Sequence, residues 1–271
     1  VIAAQTDEYN LHTRASLGED LAELGIHPGD IILVHSSLRS LGWVCGGATA
    51  VVQALLDVLG PTGTLVAPAH TAFNRDPSRW RSPGAPAGWC STIREHLPGF
   101  DPALTPSHAV GVVAERVRTW PGTLRSGHPQ TSFAAVGRHA AYIVDGHELE
   151  SQLGEESPLA RLEELKASVL LLGVDFDRCT AFHLGEYRVP APPLRTNSCA
   201  VASPAGRIWV TYQGIELDAT DFAELGRDFE HHTGAVIRGN VGEATCRLFP
   251  LRAAVEFATK WFIANRGYTT P

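Results

Sequence analysis

Apolar positions recur along the chain with two periods. Leu17, Leu21 and Leu24 share one helical face, Ser16 with Glu19 has the form of a capping box that opens this helix, and Gly25 closes it. Asp30 then leads into Ile31-Ile32-Leu33-Val34, an unbroken apolar run of the kind that suits a strand covered on both faces. Gly46-Gly47 precede a helix over 48–59, stopped by Gly60-Pro61, and 64–67 read as a second short strand. Farther on, the spacing predicts helices over 110–120, 138–144, 158–166 and 178–187, with strands over 132–136 and 168–173. The late chain reads differently. Stretches 196–202 and 207–212 form a hairpin around Ser203-Pro204-Ala205-Gly206, a helix follows over 222–232, and strands are expected at 236–238 and 244–248. A closing amphipathic helix spans 250–265, with Leu251, Val255, Ala258 and Phe262 on one face. The pattern predicts an α/β fold: a central mixed sheet flanked by helices, with an antiparallel β section and a long loop forming a cleft. One domain over 1–271 is expected.

The long loop is the proline-rich stretch 70–107, which shows little periodicity. Loops of this length in compact domains are commonly lids or binding loops. The alternative is a surface excursion pinned by Trp80 and Trp89. At 44% hydrophobic and 19% charged residues, disorder is not expected. No apolar run reaches the roughly 20 residues that cross a bilayer, and Val1 to Asn10 lack the basic-then-apolar order of a secretory leader. With 22 basic and 29 acidic residues the net charge is −7, which argues against nucleic acid and for a cationic ligand. Five scattered cysteines without a C-x-x-C pair read as reduced thiols of a cytoplasmic protein.

Several clusters of residues could carry chemistry. In Thr180-Ala181-Phe182-His183-Leu184-Gly185-Glu186, His183 and Glu186 are three apart and neighbours on a helix. A carboxylate beside an imidazole fixes its tautomer and suits it to act as a general base; a solvated surface pair is the plainer reading. His35-Ser36-Ser37 stand at the carboxyl end of the first buried strand, with Gly42 and Gly46-Gly47 beyond, where free backbone N–H groups could meet an anion or a carbonyl oxygen. An ordinary turn is the alternative. Neither a P-loop nor a G-x-G-x-x-G fingerprint is present. Residues 215–230 hold six acids and one base, a solvated helix face or the wall of a cleft that steers a polycation. No metal is expected, because His183-x-x-Glu186 is not a zinc motif and His231 and His232 diverge on a helix. Cys179 beside His183 keeps open a thiol nucleophile.

Read in order, Leu33-Val34-His35-Ser36-Ser37-Leu38, the Gly46-Gly47 helix start, Pro61-Thr62-Gly63-Thr64-Leu65, His128-Pro129 with Ser132-Phe133-Ala134-Ala135-Val136-Gly137, Leu172-Gly173-Val174 and Cys179-Thr180-x-x-His183-x-x-Glu186 resemble the aminoglycoside 3-N-acetyltransferase family. The resemblance covers nearly the whole chain. It implies transfer of acetyl from acetyl-CoA (acetyl-coenzyme A) to the 3-amino group of a 2-deoxystreptamine antibiotic, conferring resistance. His183 would be the general base and Glu186 its carboxylate. His35, Ser36, Ser37 and Leu38 would hold the thioester end of the cosubstrate, and Thr180 with Ser107, His108, Ala109 and Val110 its arm. Glu186, Glu216 and Asp218 would face the cationic antibiotic, and Asp175, where the family often has a smaller or uncharged residue, would add affinity for a cation. A homodimer is kept open, and His70 is unassigned.

The chemistry agrees with what the resemblance implies. An ammonium must lose a proton before it can attack, and the oxyanion that then forms needs donors such as His35 and the Ser36–Ser37 turn. Direct transfer in a ternary complex is expected. Two other classes compete: a metal- or thiol-dependent amide hydrolase, and a non-catalytic binder of polycations.

Overall fold

Residues 10–81 and 83–268 are described by the computed structural model; the amino-terminal stretch 1–9 lies outside them. The elements begin with β1 (Leu11–His12), α1 (Arg14–Glu23), β2 (Ile31–Ser36), β3 (Trp43–Val44), α2 (Gly47–Leu59) and β4 (Thr64–Pro68). Next come α3 (Cys90–His96), α4 (Val112–Arg118), β5 (Leu124–Arg125), β6 (Phe133–Gly137), α5 (Ala140–Val144), α6 (Pro158–Glu164) and β7 (Ser168–Leu172). The chain ends through α7 (Phe182–Tyr187), β8 (Leu194–Ser203), β9 (Gly206–Ile215), α8 (Phe222–Thr233), β10 (Ile237–Val241), β11 (Ala244–Pro250) and α9 (Leu251–Asn265).

Seven strands form the central sheet in the order β10-β11-β7-β2-β4-β6-β5. β7, β2 and β4 run parallel; β11 with β10 on one side and β6 with β5 on the other are antiparallel. The parallel strands are apolar through their middles because helices cover both of their faces. Ile32, Val34, Leu65, Leu170 and Leu172 point into a core with Leu21 of α1, Leu55 of α2 and Val117 of α4. Leu33, Val66, Val169 and Leu171 point the opposite way, against Ile143, Leu159, Leu184, Phe229 and Val255 of the later helices. Each of these side chains is at most 1% exposed, so each contributes on the order of 1.5–3 kcal/mol of burial.

The structure shifts three expected boundaries. The first helix starts at Arg14, not Ser16, because its capping box is Thr13 with Ser16: the Ser16 N–H donates to Thr13 Oγ1 at 3.2 Å and the Thr13 N–H to Ser16 Oγ at 2.9 Å. The helix expected over 178–187 is a 3-10 turn at Phe176–Arg178 followed by α7. Asp175 accepts from the Phe176 N–H at 2.8 Å, and Cys179 is extended, which separates the two. The 70–107 stretch contains two 3-10 turns, Pro77–Arg79 and Ala87–Trp89, and then α3.

That stretch is anchored along its length. Asn74 Nδ2 donates to the Pro129 and Ala200 carbonyls at 3.2 and 2.9 Å, and its Oδ1 accepts from the Ala200 N–H at 2.9 Å. Arg94 grips Asp76 with two bonds of 2.8 and 2.9 Å. Phe100 bridges to Val201 of β8. Trp80 sits against Phe73 at 5.1 Å, whereas Trp89 is 64% exposed and pins nothing. The stretch therefore forms a wall held against the β8–β9 hairpin. No helix among the described residues is long and apolar enough to cross a membrane.

Candidate active site

β2 and β7 lie side by side and parallel, with His35 level with Leu171 and Ser36 with Leu172. Their carboxyl ends open at one edge, the place where open α/β sheets bind ligands. The Ser37 N–H donates to the Leu172 carbonyl at 3.0 Å, which holds the two strand ends together. Gly173 then turns the chain at φ +68°, where a side chain would meet Ser40 Cβ at 2.7 Å. Beyond it, α7 presses on α9 so closely that a Cβ on Gly185 would lie 3.0 Å from both Ala258 Cβ and the Thr259 nitrogen. A glycine between His183 and Glu186 thus lets α7 seat both residues against the core.

His183 Nδ1 and Glu186 Oε2 are 2.6 Å apart, with side-chain exposures of 13% and 2%. Nδ1–H donates to the carboxylate, leaving Nε2 as the nitrogen able to accept a proton. The other oxygen of Glu186 is also occupied. It accepts from the Asp218 N–H at 3.0 Å and from Arg266 Nη1 at 2.5 Å. Arg266 bonds Asp221 as well and lies 4.0 Å over the Phe262 ring. Burial works against the Arg266 charge, but its bonds to Asp221 and Glu186 outweigh this and raise its pKa. Arg266 gave no local signal in the sequence, standing 80 residues from its partner.

His35 is 7% exposed and shares a 3.2 Å hydrogen bond with Thr180 Oγ1. Burial, and then the nearby His183, push its pKa down to about 3, so it is neutral at pH 7. His35 and Thr180 line a cleft of about 660 Å³ together with Ser36, Ser37, Leu38, Ala109 and Val110. With Asp175, the structure thus brings eight of the sequence-predicted residues to one place. Ser107 and His108 are not among them. The Ser107 hydroxyl donates to Glu115, and His108 stacks on Phe73 at 4.2 Å, both beside a separate apolar hollow. Asp175 lines the 660 Å³ cleft rather than the space beside His183, where it caps Phe176 and pairs with Arg247 at 3.3 Å. Gly46 and Gly47 line neither cavity. His70 does line the cleft. Its Nε2, like Ser36 Oγ, is buried without a partner among the described residues.

A second cavity of about 250 Å³ opens on His183. Arg75, Asp76 and Arg79 of the long stretch form one wall, and Arg195, Asn197 and Ser198 of the hairpin another. Glu216 and Asp218 do not line it. Glu216 is drawn to Arg195 at 3.3 Å, and the Asp218 carboxylate accepts from the Thr220 N–H at 3.0 Å. His183 and Thr180 belong to one turn, the His183 N–H donating to the Thr180 carbonyl at 3.1 Å, so a single helical turn serves both cavities.

Cys179 is fully buried, and burial pushes its thiol up to about 12, far from the thiolate a nucleophile needs. Replacing Cys179 with Ala is expected to leave turnover within about twofold, and steady-state rates of the purified variant check this. All five cysteines are unpaired. No cluster of metal-ligating side chains occurs among the described residues.

The family model for aminoglycoside 3-N-acetyltransferases matches residues 33–263, a span that runs from β2 into α9. The chain belongs to this family of acyltransferases. It is 44% identical over 254 residues to the SPβ prophage-derived aminoglycoside N(3')-acetyltransferase-like protein YokD of Bacillus subtilis, covering 93% of each chain. The crystal structure of that B. subtilis protein superposes with a TM-score of 0.93 over 96% of both chains. Aminoglycoside N(3)-acetyltransferase III of Pseudomonas aeruginosa is 34% identical, with 94% of this chain and 95% of that one covered. The structure of AAC-IIIb with CoASH gives a TM-score of 0.84 at 33% identity, covering 97% and 99%.

Proposed function

We propose that the chain, as one domain working in the cytoplasm, transfers an acetyl group directly from acetyl-CoA to a primary amine, with His183 as general base and Glu186 as the residue that orients it. The reading rests on one observation: the carboxylate-held imidazole stands on the helical turn that serves both cavities. One cavity would hold the acyl donor and the other the amine. The relatives, named as aminoglycoside acetyltransferases, point to aminoglycosides, and the resemblance to the 3-amine of the 2-deoxystreptamine ring, as the first acceptors to assay.

The larger cleft suits the pantetheine end of the cosubstrate, and the CoASH-bound relative supports this placement. Ser36 Oγ and His70 Nε2, both buried and without partners among the described residues, are unspent polar atoms in its wall. Arg39 and Arg178 in the same cleft suit phosphates. Acetyl-CoA supplies an activated acyl carbon with a thiolate leaving group.

In the other cavity an ammonium has no lone pair. His183 Nε2 would take its proton, and the resulting imidazolium would be held by the Glu186 charge. The same proton would then serve the departing thiolate. Neutral His35 and Thr180 share one hydrogen bond; with His35 Nε2–H donating to Oγ1, the Thr180 hydroxyl would be free to donate to charge gathering on the carbonyl oxygen. With Cys179 disabled as a nucleophile, amine and thioester must be bound together.

The test is continuous detection of free thiol. Thiol release that depends on added amine, matches N-acetyl product one for one, and gives intersecting initial-rate lines is expected. Parallel lines, or thiol release indifferent to amine, would reject direct transfer.

A further inference from the structure

The walls of the cavity beside His183 carry the opposite charge to that expected of a polycation site. Arg75, Arg79 and Arg195 all line it. Its one carboxylate, Asp76, is held by both bonds of Arg94. Arg195 meets Glu216 through a single 3.3 Å contact at side-chain exposures of 36% and 52%, a weak pairing in water. The Arg75 and Arg79 side chains meet no carboxylate among the described residues. Glu186 is consumed by His183, Arg266 and the Asp218 peptide. Apart from His183, the remaining lining carries no ionisable side chain and includes Gln130, Thr131, Gln152 and Asn197.

The guanidinium groups also strain one another. Desolvation, and then the charge of Arg195 with smaller contributions from Arg79 and Arg81, lower the Arg75 pKa. Such a cluster is relieved when an anion settles among it. Planar guanidinium forks bind carboxylates and phosphate-type groups in two-point fashion. The volume points the same way: about 250 Å³ lies below the roughly 300–1,000 Å³ of drug-sized ligand sites, which suits a small acceptor.

We infer that the acceptor is a small amine bearing an oxyanion, a carboxylate or a phosphate-type group, which Arg75 and Arg195 hold while its amine faces His183. This rests on reading the site as an amine acetyltransferase and narrows the acceptor class. The positive lining would recruit the anionic end from solution and repel polycations. Asn197, Gln130 and Gln152 supply neutral donors and acceptors for the linker.

The experiment compares thiol release from acetyl-CoA with four sets of amines: alkylamines, the same chains ending in carboxylate, the same chains ending in phosphonate, and 2-deoxystreptamine aminoglycosides. The two anionic sets separately identify which oxyanion is preferred. The expected result is a kcat/KM for one anionic set about tenfold to a hundredfold above that of the matched neutral amine, as charge-assisted hydrogen bonds provide. Arg75→Gln and Arg195→Gln should each shrink that ratio by about tenfold through KM, with the melting temperature reporting whether each variant is folded. Equal or better rates with neutral amines or aminoglycosides, or an unchanged ratio in both folded variants, would overturn the inference while leaving acetyl transfer standing. If no amine supports thiol release, the acetyltransferase reading fails, and calorimetric titration of the same amines decides the subsite. Binding of the anionic amines that weakens in Arg75→Gln upholds the oxyanion site; binding equal to that of the neutral amines, or none, overturns it.

Discussion

Replacing His183 with Ala is expected to lower kcat by about 10²–10⁴-fold, the range for losing a positioned general base. The argument concerns the proton. An acceptor ammonium near neutral pH must be deprotonated in place, and His183 is the imidazole lining the smaller cavity whose Nδ1 is engaged by a carboxylate. His35 cannot take over, because burial keeps its pKa near 3 and makes it a poor base. The KM for acetyl-CoA should change little, since His183 lines the smaller cavity and not the cleft of Ser36, Ser37 and Leu38. Steady-state kinetics with each substrate varied in turn checks both parts. Turnover like the wild type in a folded His183→Ala protein would remove the residue from the chemistry. An equal rise in both KM values would point instead to a collapsed site.

Parts of this arrangement were legible in the sequence for definite physical reasons. The run Ile31 to Val34 announced a strand buried on both faces, because only a doubly covered strand can be apolar at consecutive positions. The His183–Glu186 pair was legible because one helical turn brings positions three apart together. The resemblance brought His35 and Thr180 to one site across a long stretch of sequence, but other long-range pairings escaped. Arg266 reaches Glu186 from beyond the end of α9, and no periodicity connects them. The arginines of the smaller cavity come from the aperiodic stretch before α3 and from β8, which Asn74 and the Phe100–Val201 bridge hold together.

The acidic stretch was conspicuous in the sequence for its charge count, yet a count cannot say which charges are already spent. Arg266 takes Asp221, Arg238 and Arg247 take Glu230, and the Trp261 indole takes Asp228. Glu216 leans on Arg195, and what Asp218 contributes is its backbone N–H, donated to Glu186. This stretch therefore supports the His183–Glu186 pair mainly from behind.

The second large effect concerns that support. Replacing Arg266 with Ala is expected to destabilise the fold by about 3–5 kcal/mol, the cost of stranding one partner of a buried ion pair. Glu186 is the partner at risk, with a side chain 2% exposed and one oxygen bonded to Arg266 at 2.5 Å. Asp221, at 25% exposure, can recover water on losing Arg266; Glu186 cannot. Urea unfolding gives the loss directly, provided the m-value is unchanged. Two further variants separate the stranded charge from lost packing against Phe262. Arg266→Met keeps much of the side-chain volume without the charge, so it should remain nearly as unstable as Arg266→Ala. Adding Glu186→Gln to Arg266→Ala removes the stranded charge and should restore part of the stability, a non-additivity that a double-mutant cycle reads out. Full stability in Arg266→Met would show that only the packing against Phe262 mattered and that no stranded charge opposes folding.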